Sequence, residues 1–562
     1  MGWNMNNLKI EGISLKLVNN VIDHFLYELK DTNPLLISMY KDRNKKPYLD
    51  LNPWSGEFIG KYITGAYFSY KLSKNEKLKE RIIDVIDELI SCQDSDGYLG
   101  TYSDEAKLTG ANSFEPDKVG VTWDSWNHYH VLFGMLLWYK ETKYDRFIEC
   151  ILKVADFYLN NFYNGKKNLS SIGSTEMNLA IYHFFGCLYN ETKDRRYLGF
   201  ALKIEEDMKN ADNAEDYLKV GLEHIDFYKC KKPRWESLHP MMGFIEMYKA
   251  TGDKKYKDSI EFTINSIIRT DCHNTGGFST KEQAIGNPYT FGAIETCCVV
   301  AFNALVKEYY KINPEVKYID LLERAHYNAM MGAFNEIGST STYDTPMEGY
   351  KVTNQVFNNF QTRAGAPNLN CCSVNAPRGI SEIVDWMIYE NDEYIYINSF
   401  EKCEYESDNA KIIIKGQFPY KNRVIIEIKN LNKPVKIRIP SWSINTIILI
   451  NNEITDTKKG DYLLIDSPST ISLTFNYLLR FEDGDNDVKG KKCIYYGPIL
   501  LAYDRNKNTL DYDDIKRIPK AYKVKIIDDS LNIVFSNGLV LTDFASAGES
   551  GNFYTTWFKA KV

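Results

Sequence analysis

"ETKYDRF" at residues 141–147 returns as "ETKDRRY" at 191–197 and as "ATGDKKY" at 250–256. Each copy closes one stretch of helical periodicity and opens another. The copies lie about 50 to 60 residues apart, room for one helical hairpin per period, and such a period marks an array of paired helices. Apolar residues recur at helical spacing in "LKLVNNVIDHFLYELK", "ERIIDVIDELISC", "RFIECILKVADFYLNNFY" and "NALVKEYYK". About six hairpins fit into residues 1–392, which predicts an (α/α)6 barrel, although periodicity by itself leaves an open solenoid as an alternative.

Near residue 393 the period changes to two. "EYIYINSF", "AKIIIKGQF", "RVIIEIKN", "VKIRIPSW", "TIILINN" and "STISLTFNY" alternate apolar and polar residues between Asn, Asp, Gly and Pro. Residues 393–562 therefore read as an antiparallel β-sandwich, and the whole chain as an α+β multidomain protein. No low-complexity linker separates the parts, so they are expected to pack together.

The composition narrows the function classes. The chain has 562 residues, 44% of them hydrophobic and 25% charged, with a net charge of −7. That balance gives no basic footprint for nucleic acid. No apolar run approaches membrane-span length, and the first residues lack the apolar core of a secretion signal, so a cytoplasmic location is expected. Eleven scattered cysteines without such a signal do not make a disulfide framework.

Two cysteine doublets stand apart, in "GAIETCCVV" and in "NLNCCSVNAPRG" (368–379). Glu295, Cys297, Cys371 and Cys372 could supply four donors to one zinc ion. In mid-helix, positions i and i+2 point about 200° apart, so Glu295 and Cys297 can share an ion only where an extended segment enters the helix. Asn and Pro around the second doublet read as a loop. The alternative, unrelated packing cysteines, stays open on spacing alone.

These segments resemble the β-L-arabinofuranosidase family of glycoside hydrolases, family 127 and its relatives. The resemblance runs through "SCQDSDGYLGTY" (91–102), "HPMMGFIEMYKATGDKKY" (239–256), "IETCC", "LLERAHYN" (321–328), "NCCSVNAPRG", "KIRIPSWS" (436–443) and "YYGPILLAYD" (495–504). Its most specific element is E-T-C followed by C-C roughly 75 residues later, ahead of a β-domain with R-I-P-S-W. The resemblance implies an (α/α)6 barrel with β-sandwich modules and one zinc held by Glu295, Cys297, Cys371 and Cys372. It implies Cys371 as nucleophile and Glu282 as general acid/base, on a loop a few residues shorter than the family's. His239, and one of His128 and His130, would contact substrate. Ser174 stands where the family has a histidine, and Glu176 is carried over as a sugar-hydroxyl acceptor. Cys298 is expected to be a buried neighbour. Trp54, Trp123, Trp126 and Tyr289 are candidate pocket walls, with Arg438 and Trp442 structural.

The expected function is a zinc-thiolate, retaining exo-glycoside hydrolase that removes a terminal furanose, β-L-arabinofuranose first, from small oligosaccharides. Homo-oligomerisation is left open. Two rivals differ in class: a non-catalytic zinc-stabilised carbohydrate-binding protein, and a sugar isomerase or epimerase on the same barrel.

Overall fold

The computed structural model describes residues 8–49, 52–165, 167–278, 281–351 and 369–559. The N-terminal part is built from α1 (Ile13–Val21), α2 (Glu57–Ser73), α3 (Glu76–Ile90), α4 (Asp124–Thr142), α5 (Asp145–Tyr158) and α6 (Ile181–Thr192). It continues with α7 (Arg195–Asn210), α8 (Leu238–Thr251), α9 (Lys254–Thr270), α10 (Thr296–Ile312), α11 (Val316–Arg324) and α12 (Cys371–Ser381).

The repeated heptads are hairpin turns. Lys143, Lys193 and Gly252 stand just past the ends of α4, α6 and α8 with φ of 56°, 59° and 72°. A left-handed residue at that position reverses the chain. Asp194 and Asp253 then cap α7 and α9, accepting from the backbone N–H of Arg196 and Lys255. A fourth copy, degenerate in sequence, sits at "SKNEK" (73–77). There Lys74 has φ of 56° and Asn75 accepts from the Leu78 N–H to start α3.

Packing follows a simple order. α2 packs on α4, α4 on α6, α6 on α8, α8 on α10, α10 on α12, and α12 returns to α2. α3, α5, α7, α9 and α11 each back the even-numbered helix before them, and α1 backs α12. Sequence separates the two sets. α2 is buried on every side from Glu57 to Leu72, whereas α5 buries one helical stripe through Phe147, Cys150, Ile151 and Val154. α2 and α4 touch backbone to backbone at Gly60, where a Cβ would lie 2.4 Å from the His130 carbonyl carbon.

Among the described residues the C-terminal part forms three sheets. The first runs, in spatial order, through Leu8–Ile10, Cys403–Glu406, Lys411–Gly416, Arg423–Lys429, Ser469–Thr474, Ile447–Ile450 and Glu453–Thr455. The alternation seen in sequence is the pleat: Val424, Ile426 and Ile428 point inward. The expectation of purely antiparallel pairing fails at one place. Ile395–Ile397 pairs in parallel with Val435–Ile439, because the chain passes through three strands of the first sheet between them and returns from the far side.

The two parts are bound to each other. Leu8–Ile10, from the chain's start, pairs with Cys403–Glu406, with Leu8 opposite Tyr405. Arg438, fully buried, donates to Asp320 Oδ1 at 2.8 Å and to Glu323, both on α11, while Trp442 Nε1 donates to Glu323 Oε1 at 2.8 Å. The structural role expected for Arg438 and Trp442 is this tie. Among the described residues no helix is long and apolar enough to cross a membrane.

Candidate functional site

Two inner helices begin at the same place. Glu295 precedes α10 in extended backbone, φ −66° and ψ 134°, so Cys297 falls in its first turn. This is the extended entry that Glu295 and Cys297 need to face one point. The second doublet departs from the loop expected of it. Cys371 and Cys372 are the first two residues of α12, and Asn370, read as a loop marker, is its cap. The Asn370 side chain accepts from the N–H groups of Cys372 at 3.0 Å and Ser373 at 2.9 Å, and Ser373 Oγ accepts from the Asn370 N–H at 3.0 Å. Pro377 lies within the helix and did not end it, because the helix is held from outside. Its ring packs over Gly65 of α2, where a Cβ would meet it at 3.1 Å. Both helix N-termini direct partial positive charge at the sulfurs.

The donor atoms of Glu295, Cys297, Cys371 and Cys372 all lie within 4.8 Å of one another, and all four residues are buried. Sγ of Cys372 is 3.5 Å from Sγ of Cys297 and 3.8 Å from Sγ of Cys371. Glu295 Oε1 lies 3.5 Å from Cys372 Sγ and 3.8 Å from Cys371 Sγ. A tetrahedron with zinc–sulfur bonds of about 2.3 Å has edges of about 3.8 Å, so the spacing fits zinc. The electrostatics fit as well. Burial and then Cys297 raise Glu295 and the thiols of Cys371 and Cys372 well above their ordinary ranges. Cys297 is held well below its range. Burial opposes this, but Cys371, Cys372, the Lys61 ammonium and Asn375 outweigh it. A divalent cation would remove the penalty on so many buried acids. Cys298 is a neighbour, its sulfur 3.6 Å from Glu295 Oε2.

A second close group, His183, Cys187 and Glu246, was not singled out in sequence and differs in kind. Lys249 and Asn190 already donate to the two Glu246 oxygens at 2.6 and 2.8 Å, and His183 Nδ1 bonds the Tyr129 hydroxyl at 2.9 Å.

The 342–345 strand-like segment runs along 294–296. Thr296 N donates to the Tyr343 carbonyl and Thr345 N to that of Ile294. This sets the Tyr343 hydroxyl 3.7 Å from Cys371 Sγ and lets it donate to Glu282 Oε1 at 3.3 Å. Glu282 thus reaches the cluster through Tyr343. It sits at φ 70° and also accepts from Arg234 Nη2 at 2.9 Å. Tyr343 carries no spacing signal in sequence and was missed. Lys61 was missed too, although a lysine four residues after Glu57, amid the apolar first turns of this helix, is a visible anomaly. Their side chains pair at 2.8 Å, and burial pushes the Glu57 carboxyl up to about 7.

His128 and His130 face opposite ways, as their spacing requires. His130 lies beside His239, ring centroids 5.4 Å apart, and both rings meet Trp126 edge-on at 4.5 and 4.8 Å. Its Nε2 is buried without a hydrogen-bond partner among the described residues. His128 turns outward to bond the Tyr158 hydroxyl of α5 at 2.8 Å. Burial lowers all three histidines, His128 to about 3, so their rings are neutral. Ser174 takes a left-handed conformation, φ 43°, and donates to the Gly120 carbonyl at 3.2 Å. Glu176 pairs with Lys232 at 2.5 Å. Trp54 and Trp123 pack together, half-buried, with ring centroids 5.1 Å apart, and Tyr289 lies against Trp557 of the C-terminal part.

Known proteins are similar to this chain over most of its length. The non-reducing end β-L-arabinofuranosidase of Bifidobacterium longum subsp. longum is 19% identical over 507 residues, covering 81% of this chain and 76% of that protein. A solved GH127 β-arabinofuranosidase superposes with a TM-score of 0.81 at 17% identity, over 99% of this chain and 97% of the other. The GH127 β-L-arabinofuranosidase of Geobacillus stearothermophilus T6 superposes with a TM-score of 0.78 at 15% identity, over 99% and 100%. The family model described as "Beta-L-arabinofuranosidase, GH127 catalytic domain" matches residues 9–385, more than half of the chain. The chain is therefore a glycoside hydrolase and belongs to the GH127 β-L-arabinofuranosidase family.

Proposed function

We propose that this glycoside hydrolase removes a terminal β-L-arabinofuranose from small oligosaccharides with retention, using Cys371 as nucleophile and Glu282 as general acid/base. The (α/α)6 barrel of residues 1–392 would carry the site, with residues 393–562 as its β-sandwich support. The closed order of the even-numbered helices supports the barrel. The observation that carries the chemistry is the meeting of Glu295, Cys297, Cys371 and Cys372, whose donor atoms all lie within 4.8 Å of one another. A zinc ion held by these four residues would supply thiolates stable at neutral pH.

Cys371 Sγ attacks the anomeric carbon while Glu282 gives its proton to the departing glycosidic oxygen, breaking the carbon–oxygen bond. Glu282, now ionised, takes a proton from water. The resulting oxygen nucleophile displaces the sulfur, breaking the carbon–sulfur bond and returning the thiolate. Two inversions give retention. Tyr343, in reach of both groups, holds them in register. The neutral rings of His130 and His239 suit hydrogen bonds to sugar hydroxyls, and Trp126 fixes both rings. Glu176, which pairs with Lys232, would serve as a further hydroxyl acceptor.

The test is hydrolysis of an aryl β-L-arabinofuranoside followed by proton NMR, with metal content measured on the same protein. Initial release of the β-anomer by protein holding one zinc supports the reading. Release of the α-anomer, or full activity in metal-free protein, sinks it.

A further inference from the structure

Three thiolates around one ion give no reason by themselves for one of them to attack. The asymmetry lies in the layer behind them. Lys61, on α2, is 1% exposed, and its Nζ sits 3.8 Å from Cys297 Sγ. It is clamped there by Glu57 Oε1 at 2.8 Å and by the faces of Trp126 and Trp235, 5.8 and 5.1 Å from the ring centroids. From the other side Asn375, one turn into α12, brings Nδ2 to 3.5 Å from the same sulfur. Two nitrogen donors therefore converge on Cys297. Cys371 instead meets the Glu295 carboxyl at 3.8 Å, the Tyr343 hydroxyl at 3.7 Å and the Cys372 sulfur at 3.8 Å, and the Lys61 ammonium acts on it less than on Cys297.

Donation from a cation withdraws electron density from a sulfur, stabilises it as thiolate and makes it a poorer nucleophile. We infer that Lys61 is a positioning residue of the metal site: with Asn375 it fixes Cys297 as the sulfur that stays bound, which leaves the departing sulfur to the α12 doublet, where the proposed function takes Cys371. The inference rests on the metal-thiolate reading above. Burying an ammonium costs several kcal/mol, and Glu57 alone would repay that cost without any need for the lysine to face a sulfur. Its orientation toward Cys297 is what an ion pair by itself does not explain.

The experiment uses cobalt(II)-loaded full-length protein: wild type, Lys61→Met, Lys61→Arg and Asn375→Leu. The sulfur-to-cobalt charge-transfer band and the rate of metal release to a chromophoric chelator are read. A wild type that takes up no cobalt, or shows no such band, overturns the metal-thiolate reading itself. With wild type loaded, Lys61→Met should shift the band and release metal about tenfold faster, the size of effect typical of a partner behind a ligand. Lys61→Arg should restore most of both. The shift should persist when Cys371→Ser is added, because it belongs to Cys297. Should Lys61→Met fail to fold, Asn375→Leu carries the test, with a smaller shift in the same direction. Band and release rate unchanged from wild type, or a shift that vanishes with Cys371→Ser, overturns the inference.

Discussion

The Tyr343 hydroxyl stands 3.7 Å from the sulfur of Cys371 and donates to Glu282 Oε1 at 3.3 Å, so one phenol spans the two groups assigned to bond making and proton transfer. Tyr343→Phe removes that link without opening a cavity. We expect kcat to fall about 10- to 100-fold, with KM changed little, since the lost interaction orients reacting groups and does not bind sugar. Steady-state kinetics on an aryl furanoside decide it, and an unchanged kcat removes Tyr343 from the mechanism.

The two adjacent cysteines should separate by function. Cys371→Ser is expected to keep its metal, through the three remaining donors, and to lose activity by at least about 1,000-fold. Cys372→Ser should weaken metal binding by at least about tenfold and lose activity through that route. Metal analysis beside kinetics distinguishes them. Activity in metal-loaded Cys371→Ser would exclude a sulfur nucleophile.

The histidines offer a similar contrast. His130→Ala should lower kcat/KM about tenfold, the equivalent of one hydrogen bond of ~1.4 kcal/mol, with little change in Tm. His128→Ala should do the reverse, costing ~2 kcal/mol of stability by taking one hydrogen-bond partner from the buried Tyr158 hydroxyl. Thermal unfolding and kinetics on the same two proteins check this, and a kinetic defect confined to His128→Ala would reverse the assignment.

Metal removal should loosen the join between α10 and α12. A site filled at about 1,000 times its Kd contributes ~4 kcal/mol to the folded state. Dialysis against chelator and reductant is therefore expected to lower Tm by a few degrees, with recovery on adding zinc back. An identical Tm before and after would mean that no tightly held ion bridges these helices.

Arg438 tests the tie between the two parts. Arg438→Met leaves Glu323 buried with its main cationic partner gone, which should cost about 3–5 kcal/mol in denaturant unfolding. Adding Glu323→Gln should recover part of the loss. A cost below about 1 kcal/mol for the single variant would show that the halves are held by other contacts.

Much of this was legible before any coordinates. The turn heptads were readable because a left-handed residue followed by Asp is a local device, needing nothing beyond its own few residues. The copy at Lys74 and Asn75 uses the same device with Asn for Asp, so it keeps the roles of the heptad while losing its letters. Asn370 misled for a related reason: asparagine caps a helix as readily as it marks a loop, and only the Ser373 hydroxyl three residues on tells the two apart. Tyr343 could not be read at all, and Lys61 only as a charge out of place beside Glu57. Their importance comes from where distant segments bring them, and no local pattern records that.

The short strand Leu8–Ile10 has a consequence for how the polypeptide matures. Its partner, Cys403–Glu406, is synthesised nearly 400 residues later, which at cellular translation speeds is a delay of roughly 20–80 s. Throughout that interval one edge of the nascent chain stays unpaired. The first strand thus finds its place in the sheet only after the chain has been made as far as Cys403–Glu406.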